Sequence, residues 1–231
     1  ATYIYAETAD DTALTVAGEG CQGAIVRLAD VTGDGAAEML IGMAEGSVRV
    51  YSRGADGYWA DAGALTCMDG GEEHGIDVGT RAAIEFADVN GDGRSDLLVG
   101  TGDGNIVLYL NTASEGAAVF DQGRYLHDST GRMALGSRAS VAAADVDGDG
   151  LWDLLVGDSN GYISYYRNEG SAAEPLFGKA LSILAGDETL NMSASTSRVR
   201  IDAADVNGDG RADIAVGQSD GRCRMCRRMC K

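Results

Sequence analysis

Four short segments of this chain place oxygen-bearing side chains at alternating positions of a loop. In each nine-residue segment these side chains stand at positions 1, 3, 5 and 9, and glycine occupies position 6. The segments are residues 30–38, 88–96, 145–153 and 205–213. Oxygen ligands at this spacing, with a backbone carbonyl at position 7, can surround a divalent cation that takes six to eight oxygens, which favours Ca²⁺ over Mg²⁺. The spacing therefore predicts about four calcium sites.

The predicted ligands comprise four side chains and one main-chain oxygen in each loop. They are Asp30, Thr32, Asp34, Ala36 and Glu38; Asp88, Asn90, Asp92, Arg94 and Asp96; Asp145, Asp147, Asp149, Leu151 and Asp153; and Asp205, Asn207, Asp209, Arg211 and Asp213. The first site is predicted to be the weakest, because Thr32 is a poorer ligand and Glu38 is longer than aspartate. The third site has four carboxylates and should bind most tightly. Without a cation these carboxylates repel one another, so we expect the metal to contribute to folding.

The loops begin like an EF-hand loop but differ from it at position 12. An EF-hand needs a bidentate glutamate there and a helix on each side. Position 12 is here Ile41, Val99, Val156 or Val216, each within a short apolar run that ends in glycine. Such runs indicate strands. The alternative, that these Asp-Gly segments are only hairpin turns, is disfavoured because the pattern occurs four times in register.

The four loops recur at a nearly constant period. Their first aspartates are separated by 58, 57 and 60 residues, which indicates a repeat architecture. In each copy a strand precedes the loop and another follows it. A two-residue type I′ turn, predicted at 103–104, 160–161 and 220–221, leads to a third strand, and weaker fourth strands are predicted at 58–65, 118–126 and 175–184. Four strands per period predict an all-β fold, a β-propeller of four-stranded antiparallel blades.

We predict that residues 1–231 form a single propeller domain with four blades. The segment Ala1–Tyr5 is expected to join the last blade and close the ring, which would protect the exposed strand edges. Two alternatives stay open at this point. The four blades could be part of a larger ring, or two chains could share one.

The chain is strongly acidic, with a formal charge of -18 from 36 acidic and 18 basic residues. Thirteen of the acidic residues are the predicted ligands, so metal binding explains much of this charge. An acidic surface argues against nucleic-acid partners. No apolar run approaches the roughly 18 residues of a membrane span. Because calcium sites of this kind fill reliably outside the cell, we expect a secreted or cell-surface protein.

Five cysteines are few for a disulfide scaffold, and their number is odd. Cys21 and Cys67 are isolated, whereas Cys223, Cys226 and Cys230 lie in the basic C-terminal tail. The tail cysteines are expected to be strand residues of the last copy, with one or two disulfides to Cys21 or to another chain. Alternation along a strand places Cys223 and Cys226 on opposite faces, which disfavours a zinc site.

The motif DxxGDGxx(D/E), followed by an apolar strand that ends in glycine and an Asp-Gly or Asn-Gly hairpin, resembles the FG-GAP and VCBS repeats of integrin-α-like β-propellers. The resemblance covers nearly the whole chain, although the Gly-Ala-Pro signature is missing and Phe177-Gly178 is the only Phe-Gly pair. It implies an extracellular, calcium-stabilised scaffold of the kind used in cell adhesion, in lectins and in a few polysaccharide lyases. Family members usually close with more than four blades.

The expected function is the binding of glycans or other extracellular ligands, including proteins, through loops between the blades. Trp152 and Trp59 are candidate ligand contacts, although a tryptophan more often packs against a neighbouring blade. The alternative is a structural subunit of a surface filament or adhesin, which self-associates through its tail or its unpaired terminal strands.

An enzyme is not expected, and a polysaccharide-acting one is the least favoured alternative. His74 and His127 are the only histidines, and neither GxSxG nor HExxH occurs. Glu72, Glu73 and His74 form a polar cluster in a predicted glycine-rich loop, which is typical of solvated surface.

Overall fold

The computed structural model of the protein describes residues 25–185, 188–189, 199–209, 212–218 and 223–226, and its regular secondary structure there is entirely β. The strands are β1 (Ile25–Ala29), β2 (Glu38–Gly42), β3 (Val48–Arg53), β4 (Trp59–Ala64), β5 (Thr66–Asp69), β6 (Glu72–Gly75), β7 (Ala83–Ala87), β8 (Asp96–Gly100), β9 (Ile106–Tyr109), β10 (Arg124–Tyr125), β11 (His127–Asp128), β12 (Gly131–Arg132), β13 (Ser140–Ala144), β14 (Asp153–Gly157), β15 (Ile163–Tyr166), β16 (Leu181–Ser182), β17 (Leu184–Ala185), β18 (Glu188–Thr189), β19 (Val199–Ala204), β20 (Asp213–Gln218) and β21 (Cys223–Cys226). No helix in the described part of the chain is long and apolar enough to cross a membrane.

The strands form four successive antiparallel sheets. Sheet I contains β1 to β4, sheet II β7 to β10, sheet III β13 to β16 and sheet IV β19 to β21, each in sequential order. Every predicted metal loop connects the first two strands of a sheet, and its ninth residue pairs with the residue that precedes the loop in all four copies. The prediction of strands on both sides of each loop is confirmed, and an EF-hand is excluded.

The fourth strands are shorter than the sequence predicts. The segments 118–126 and 175–184 contribute only β10 and β16 to the sheets. Upstream in each segment, a buried phenylalanine forms isolated bridges instead: Phe120 bridges Asn111 and Cys67, and Phe177 bridges Asn168. These segments therefore serve as a link between sheets as well as an outer strand.

Two-stranded hairpins follow the four-stranded sheets and are not predicted from the sequence. They are β5 with β6, β11 with β12, and β17 with β18. The cluster Glu72, Glu73 and His74 lies in β6, so its assignment to a glycine-rich loop is wrong. The turn at residues 70–71 folds β6 back on β5, and the Thr66 hydroxyl donates a 2.7 Å hydrogen bond to Glu73.

The tight turns between the second and third strands also differ from the prediction. A type I′ turn needs positive φ at both central residues, but φ is positive only at Gly104 (+83°) and Gly161 (+84°) in the two described Asp-Gly and Asn-Gly turns. The N–H of Thr101 donates to the carbonyl of Asn105, so the loop has three residues and ends in a glycine bulge. The side chains of Thr101 and Asp158 accept backbone N–H bonds across these loops, which favours the longer form. The turn predicted at 220–221 lies outside the described residues.

The core consists of apolar layers between successive sheets. Alternate residues of the second strand point to opposite sides. Leu40 of sheet I belongs to the same apolar cluster as Leu97 of sheet II, whereas Leu98 of sheet II belongs to the cluster that contains Leu154 of sheet III. Leu155 repeats this contact toward sheet IV. We call the side that faces the following sheet the leading face and the opposite side the trailing face. The inner sheets are therefore buried on both sides, which is why their second strands are apolar after the aspartate with which each begins.

The first strands of all four sheets line one cavity of about 200 Å³. Arg27, Ser140 and Asp202 are among its lining residues, and Arg27 forms an ion pair with Glu85 at 2.8 Å. Burial raises the pKa of Glu85, although Arg27 offsets part of this effect. The first strands of the four sheets thus border a common cavity whose lining is part apolar and part polar. No pairing among the described strands joins sheet I to sheet IV, and the predicted closing strand Ala1–Tyr5 lies outside the described residues.

Candidate metal centres

The first aspartate of each loop organises the loop backbone. Its carboxylate accepts N–H bonds from residues three to five positions later, at 2.6 to 3.1 Å. The pairs are Asp30 with Gly33 and Gly35; Asp88 with Asp92 and Gly93; Asp145 with Gly148, Asp149 and Gly150; and Asp205 with Gly208 and Asp209. The chain is therefore wrapped around this carboxylate, and the following ligand positions are brought to the same side.

The third loop brings three carboxylates together. One oxygen each from Asp145, Asp147 and Asp149 lie within 4.8 Å of one another. Calcium–oxygen bonds are about 2.3 to 2.6 Å long, so ligands on opposite sides of one ion are up to about 5 Å apart. These three oxygens fit around a single calcium ion.

An arginine that is not predicted from the sequence, Arg167, faces this triad. Arg167 contacts Asp147 through Nε at 2.6 Å and Asp149 through Nη2 at 3.0 Å. The backbone N–H of Leu151 and the Arg167 guanidinium lower the pKa of Asp149. The guanidinium thus forms ion pairs with the carboxylates at positions 3 and 5, which are two of the predicted cation ligands.

The second loop contains a similar contact within itself. The sequence predicts a ligand role only for the main-chain oxygen of Arg94, but its Nη2 lies 2.5 Å from Asp92 and its Nε donates to the carbonyl of Asn111 at 2.9 Å. Asn90 also donates to Asp92 at 2.8 Å. The carboxylate at position 5 is therefore neutralised by chain groups in this loop as well.

The ninth residue of every loop is buried, in contrast to the other predicted ligands that the structure describes. Glu38, Asp96 and Asp153 accept the N–H of position 2 at 3.0, 3.0 and 3.1 Å. Asp213 is buried in the same way and accepts from the side chain of Asn207 at 3.1 Å. Burial raises the pKa of Asp96 to about 6 and also raises that of Asp153. This position anchors the loop to the sheet and is not part of the triad in the third loop.

In the first and fourth loops, the uncharged side chain at position 3 hydrogen-bonds to the carboxylate at position 9. The Thr32 hydroxyl donates to Glu38 at 3.3 Å, so the third position of this loop is tied to the ninth. Asn207 makes the equivalent contact to Asp213 in the fourth loop. Arg211 lies outside the described residues.

Two asparagines complete the anchoring, and the sequence analysis missed them. The N–H groups of Asn111 and Asn168 donate to Asp96 and Asp153 at 2.8 and 2.7 Å. Their side-chain oxygens each accept two backbone N–H bonds from the segment that follows. The sequence does carry a signal for them, because an asparagine precedes a buried phenylalanine by nine residues in both copies, at Asn111 and Asn168.

The two candidate ligand-contact tryptophans have different surroundings. Trp152 is exposed at position 8 of the third loop. Trp59 begins β4 and is partly buried against Met39, Ile41 and Tyr51.

Of the cysteines, Cys67 and Cys223 are free thiols. Cys223 and Cys226 lie in β21, which confirms their prediction as strand residues. Cys21 and Cys230 lie outside the described residues.

Comparison with known proteins gives consistent matches over this region. The model of the FG-GAP-like repeat matches residues 30–99, 88–156 and 145–216. Each match begins at the first ligand of one loop and ends at position 12 of the next, so all four loops are included. Integrin alpha-4 of Xenopus laevis is 30% identical over 162 residues, which is 64% of this chain and 15% of that protein.

A solved structure has a related fold. It is an Agrocybe aegerita lectin described as recognising non-reducing terminal N-acetylglucosamine, with a TM-score of 0.50 and 25% identity over 86% of this chain. This chain spans half of that lectin chain and a smaller share of the integrin. Because the family model matches most of the sequence, in register with the loops and strands described above, the chain belongs to the FG-GAP-like repeat family.

Proposed function

We propose that this chain is a calcium-binding β-propeller scaffold that acts outside the cell or at its surface and binds glycans, or other extracellular ligands, through the loops between its sheets. The observation that carries the calcium part is the triad of Asp145, Asp147 and Asp149. Its three carboxylate oxygens have the type and separation that suit one calcium ion, and other loop oxygens or water would complete the six to eight ligands. The equivalent positions of the other loops supply the remaining predicted sites, for about four ions in total.

The positions of each loop have different roles in this proposal. Positions 1, 3 and 5 would hold the ion, and position 7 would add its main-chain oxygen. The ninth residue keeps the loop attached to the sheet through its backbone N–H bonds. A bound ion would supply the positive charge that offsets the repulsion among these carboxylates. In the third loop Arg167 must leave two of the oxygens when the ion binds.

Calcium titration tests this part of the proposal. We expect native mass spectrometry to show about four bound ions and the melting temperature to fall when the ions are chelated. Asp147→Asn should remove one ion, whereas the control Asp103→Asn, in an exposed turn, should remove none. An unchanged melting temperature on chelation would contradict the proposal.

Ligand binding is supported by the two relatives and by one exposed side chain. An exposed aromatic ring on a rigid loop suits stacking against a sugar, and Trp152 is such a ring. The lectin is described as binding terminal N-acetylglucosamine, so this sugar is the first to test. We expect signal on a glycan array in calcium and its loss with chelator. Trp152→Ala should abolish binding without changing the melting temperature, and Trp59→Ala should lower the melting temperature because it removes packing. Array signal that persists in Trp152→Ala would rule out the tryptophan contact.

The proposal does not include catalysis. Incubation with anionic polysaccharides should leave them intact, and the appearance of new unsaturated ends would overturn this part. A structural role in a surface assembly is the second candidate function, and exposed apolar residues on sheets I and IV favour it.

A further inference from the structure

Two of the metal loops begin with the same seven residues. Residues 88–94 and residues 205–211 both read DVNGDGR, so position 3 of each loop is an asparagine that glycine follows. An Asn-Gly pair can react with itself, because glycine has no Cβ that keeps its backbone nitrogen away from the asparagine side chain. Asn90 and Asn207 have the same neighbours in sequence, so a difference between them in this reaction must come from the fold.

The fold holds the side chain of each asparagine over the main chain that follows it. Oδ1 of Asn90 accepts the N–H of Asp92 at 3.1 Å. Oδ1 of Asn207 accepts the N–H of Asp209 at 2.9 Å. Each bond closes a ring that contains Cγ of the asparagine and the backbone nitrogen of the next glycine. Nδ2 donates to a carboxylate in both loops, to Asp92 at 2.8 Å and to Asp213 at 3.1 Å, so the carbon under attack and the leaving nitrogen have similar surroundings.

The attacking nitrogen has different surroundings in the two loops. The N–H of Gly208 donates to Asp205 at 2.6 Å, and the equivalent N–H groups of the first and third loops donate to their first aspartates at 2.7 Å. In the second loop Asp88 accepts from positions 5 and 6 instead, and within the described residues no acceptor has hydrogen-bond geometry with the N–H of Gly91. This nitrogen must lose its proton before it attacks. A carboxylate 2.6 Å away opposes that loss, because it holds the proton and repels the anion that forms.

A guanidinium also favours the reaction in the second loop. Nη2 of Arg94 lies 2.5 Å from Oδ2 of Asp92, the same oxygen that accepts from Asn90. Its positive charge offsets the negative charge of the loop carboxylates, which would otherwise oppose a negative nitrogen. Gly91 is exposed, so base and water can reach it.

We propose that Asn90 is the site at which this chain modifies itself by deamidation, ahead of Asn207. The nitrogen of Gly91 gives up its proton and forms a bond to Cγ of Asn90. The Cγ–Nδ2 bond breaks, and Nδ2 takes up a proton and leaves as ammonia, so that a succinimide ring remains. One water molecule then opens the ring, at Cγ to give aspartate or at the main-chain carbonyl carbon of residue 90 to give isoaspartate. The step needs no oxidant, reductant or enzyme.

The two products change the second calcium site in opposite directions, and this consequence rests on the proposed function. Aspartate at this position gives the loop four carboxylates, the same set as in the third loop, so calcium affinity should rise. Isoaspartate adds one carbon atom to the main chain between positions 1 and 5, which moves the ligands apart, so the site should be lost. Asn90→Asp measures the first effect without the second.

Peptide mapping of the full chain tests the inference. The chain is kept in chelator below the melting temperature measured there, and samples are digested with trypsin at intervals. Cleavage after arginine places Asn90 in peptide 82–94 and Asn207 in peptide 201–211, each with a single asparagine. We expect the mass increase of deamidation to appear several-fold faster in peptide 82–94, with one heavy oxygen when the water is isotopically labelled. In urea the two peptides should react at the same rate, because the fold no longer distinguishes them.

Two results would overturn the inference: equal rates in the folded chain, and a faster reaction at Asn207. The second result is what exposure alone would predict, because Asn207 is exposed and Asn90 only half-exposed. Asn90→Gln should leave peptide 82–94 unmodified and the rate at Asn207 unaltered. The comparison is made in chelator, so it holds even for a chain that binds no calcium, and its failure would leave the calcium proposal untouched.

Discussion

Asp96 should make the stability of the calcium-free protein depend on pH. Its carboxylate is fully buried, and this burial raises its pKa from the ordinary 3.8 to about 6. The N–H groups of Asn111 and Val89, at 2.8 and 3.0 Å, favour the ionised form but do not outweigh the loss of hydration. The folded chain therefore binds the Asp96 proton more tightly than the unfolded chain does.

The direction of the effect follows from this difference. A carboxyl group whose pKa is raised by folding stabilises the fold fully below its unfolded pKa, and this contribution is lost as the pH rises through about 6. A change from 3.8 to about 6 corresponds to about 3 kcal/mol. That is a large part of the 5 to 15 kcal/mol typical of a domain of about this size. A calcium ion near Asp96 favours the ionised carboxylate, so calcium should reduce or remove the loss.

Urea unfolding at about pH 4 and about pH 7, with chelator present, measures this contribution. Between these pH values the free energy of unfolding should fall by up to about 3 kcal/mol more in the unaltered chain than in Asp96→Asn. The control Asp103→Asn, in an exposed turn, should behave like the unaltered chain. Equal pH dependence in Asp96→Asn and the unaltered chain would refute the reasoning, because the buried carboxylate would then not be the titrating group.

Three further substitutions probe other contacts. Arg167→Gln should raise the calcium affinity of the third loop several-fold, because the guanidinium no longer competes with the ion for Asp147 and Asp149, and should lower the melting temperature only in chelator. Calorimetry measures both effects, with Arg124→Gln on an exposed strand as the control. Unchanged affinity in Arg167→Gln would show that the guanidinium does not compete with the ion. Asn168→Ala should lower the free energy of unfolding by about 2 kcal/mol or more, because two backbone N–H groups lose their acceptor; a loss below about 0.5 kcal/mol in urea unfolding would contradict this. Gly104→Ala should lower the free energy of unfolding clearly more than Gly93→Ala in the same assay. Both glycines have positive φ, but only at Gly104 would the new Cβ lie 2.1 Å from a backbone oxygen. Equal losses would show that the backbone shifts to remove this close contact without a measurable loss of stability.

The sequence predicted the loops and the strands beside them because their signal is local. Alternating oxygen ligands, the glycine at position 6 and the β-branched residue at position 12 all lie within a few residues of one another. The pairing across the loop follows from this pattern and is the same in all four copies. The assignment to the family rests on these same residues.

The parts that the sequence did not predict depend on distant contacts or on competing hydrogen bonds. Arg167 reaches Asp149 from 18 positions away, and the N–H of Asn168 reaches Asp153 from 15, so no local pattern marks them. The Asp-Gly and Asn-Gly pairs are typical of two-residue turns, but the backbone N–H bonds that the side chains of Thr101 and Asp158 accept favour a three-residue loop. The fourth strands β10 and β16 are short because the residues before them, around Phe120 and Phe177, form isolated bridges to other segments and do not extend the strand.

The regular stacking of leading on trailing faces has a consequence for how such chains change in length. Because Leu40, Leu98 and Leu155 occupy equivalent positions at three successive contacts, each contact accepts the same neighbour. A gene segment encoding one period could be duplicated or deleted in frame, and the new seam would still join two compatible surfaces. The size of the assembly can therefore change in whole sheets, with no redesign of the apolar layers on either side.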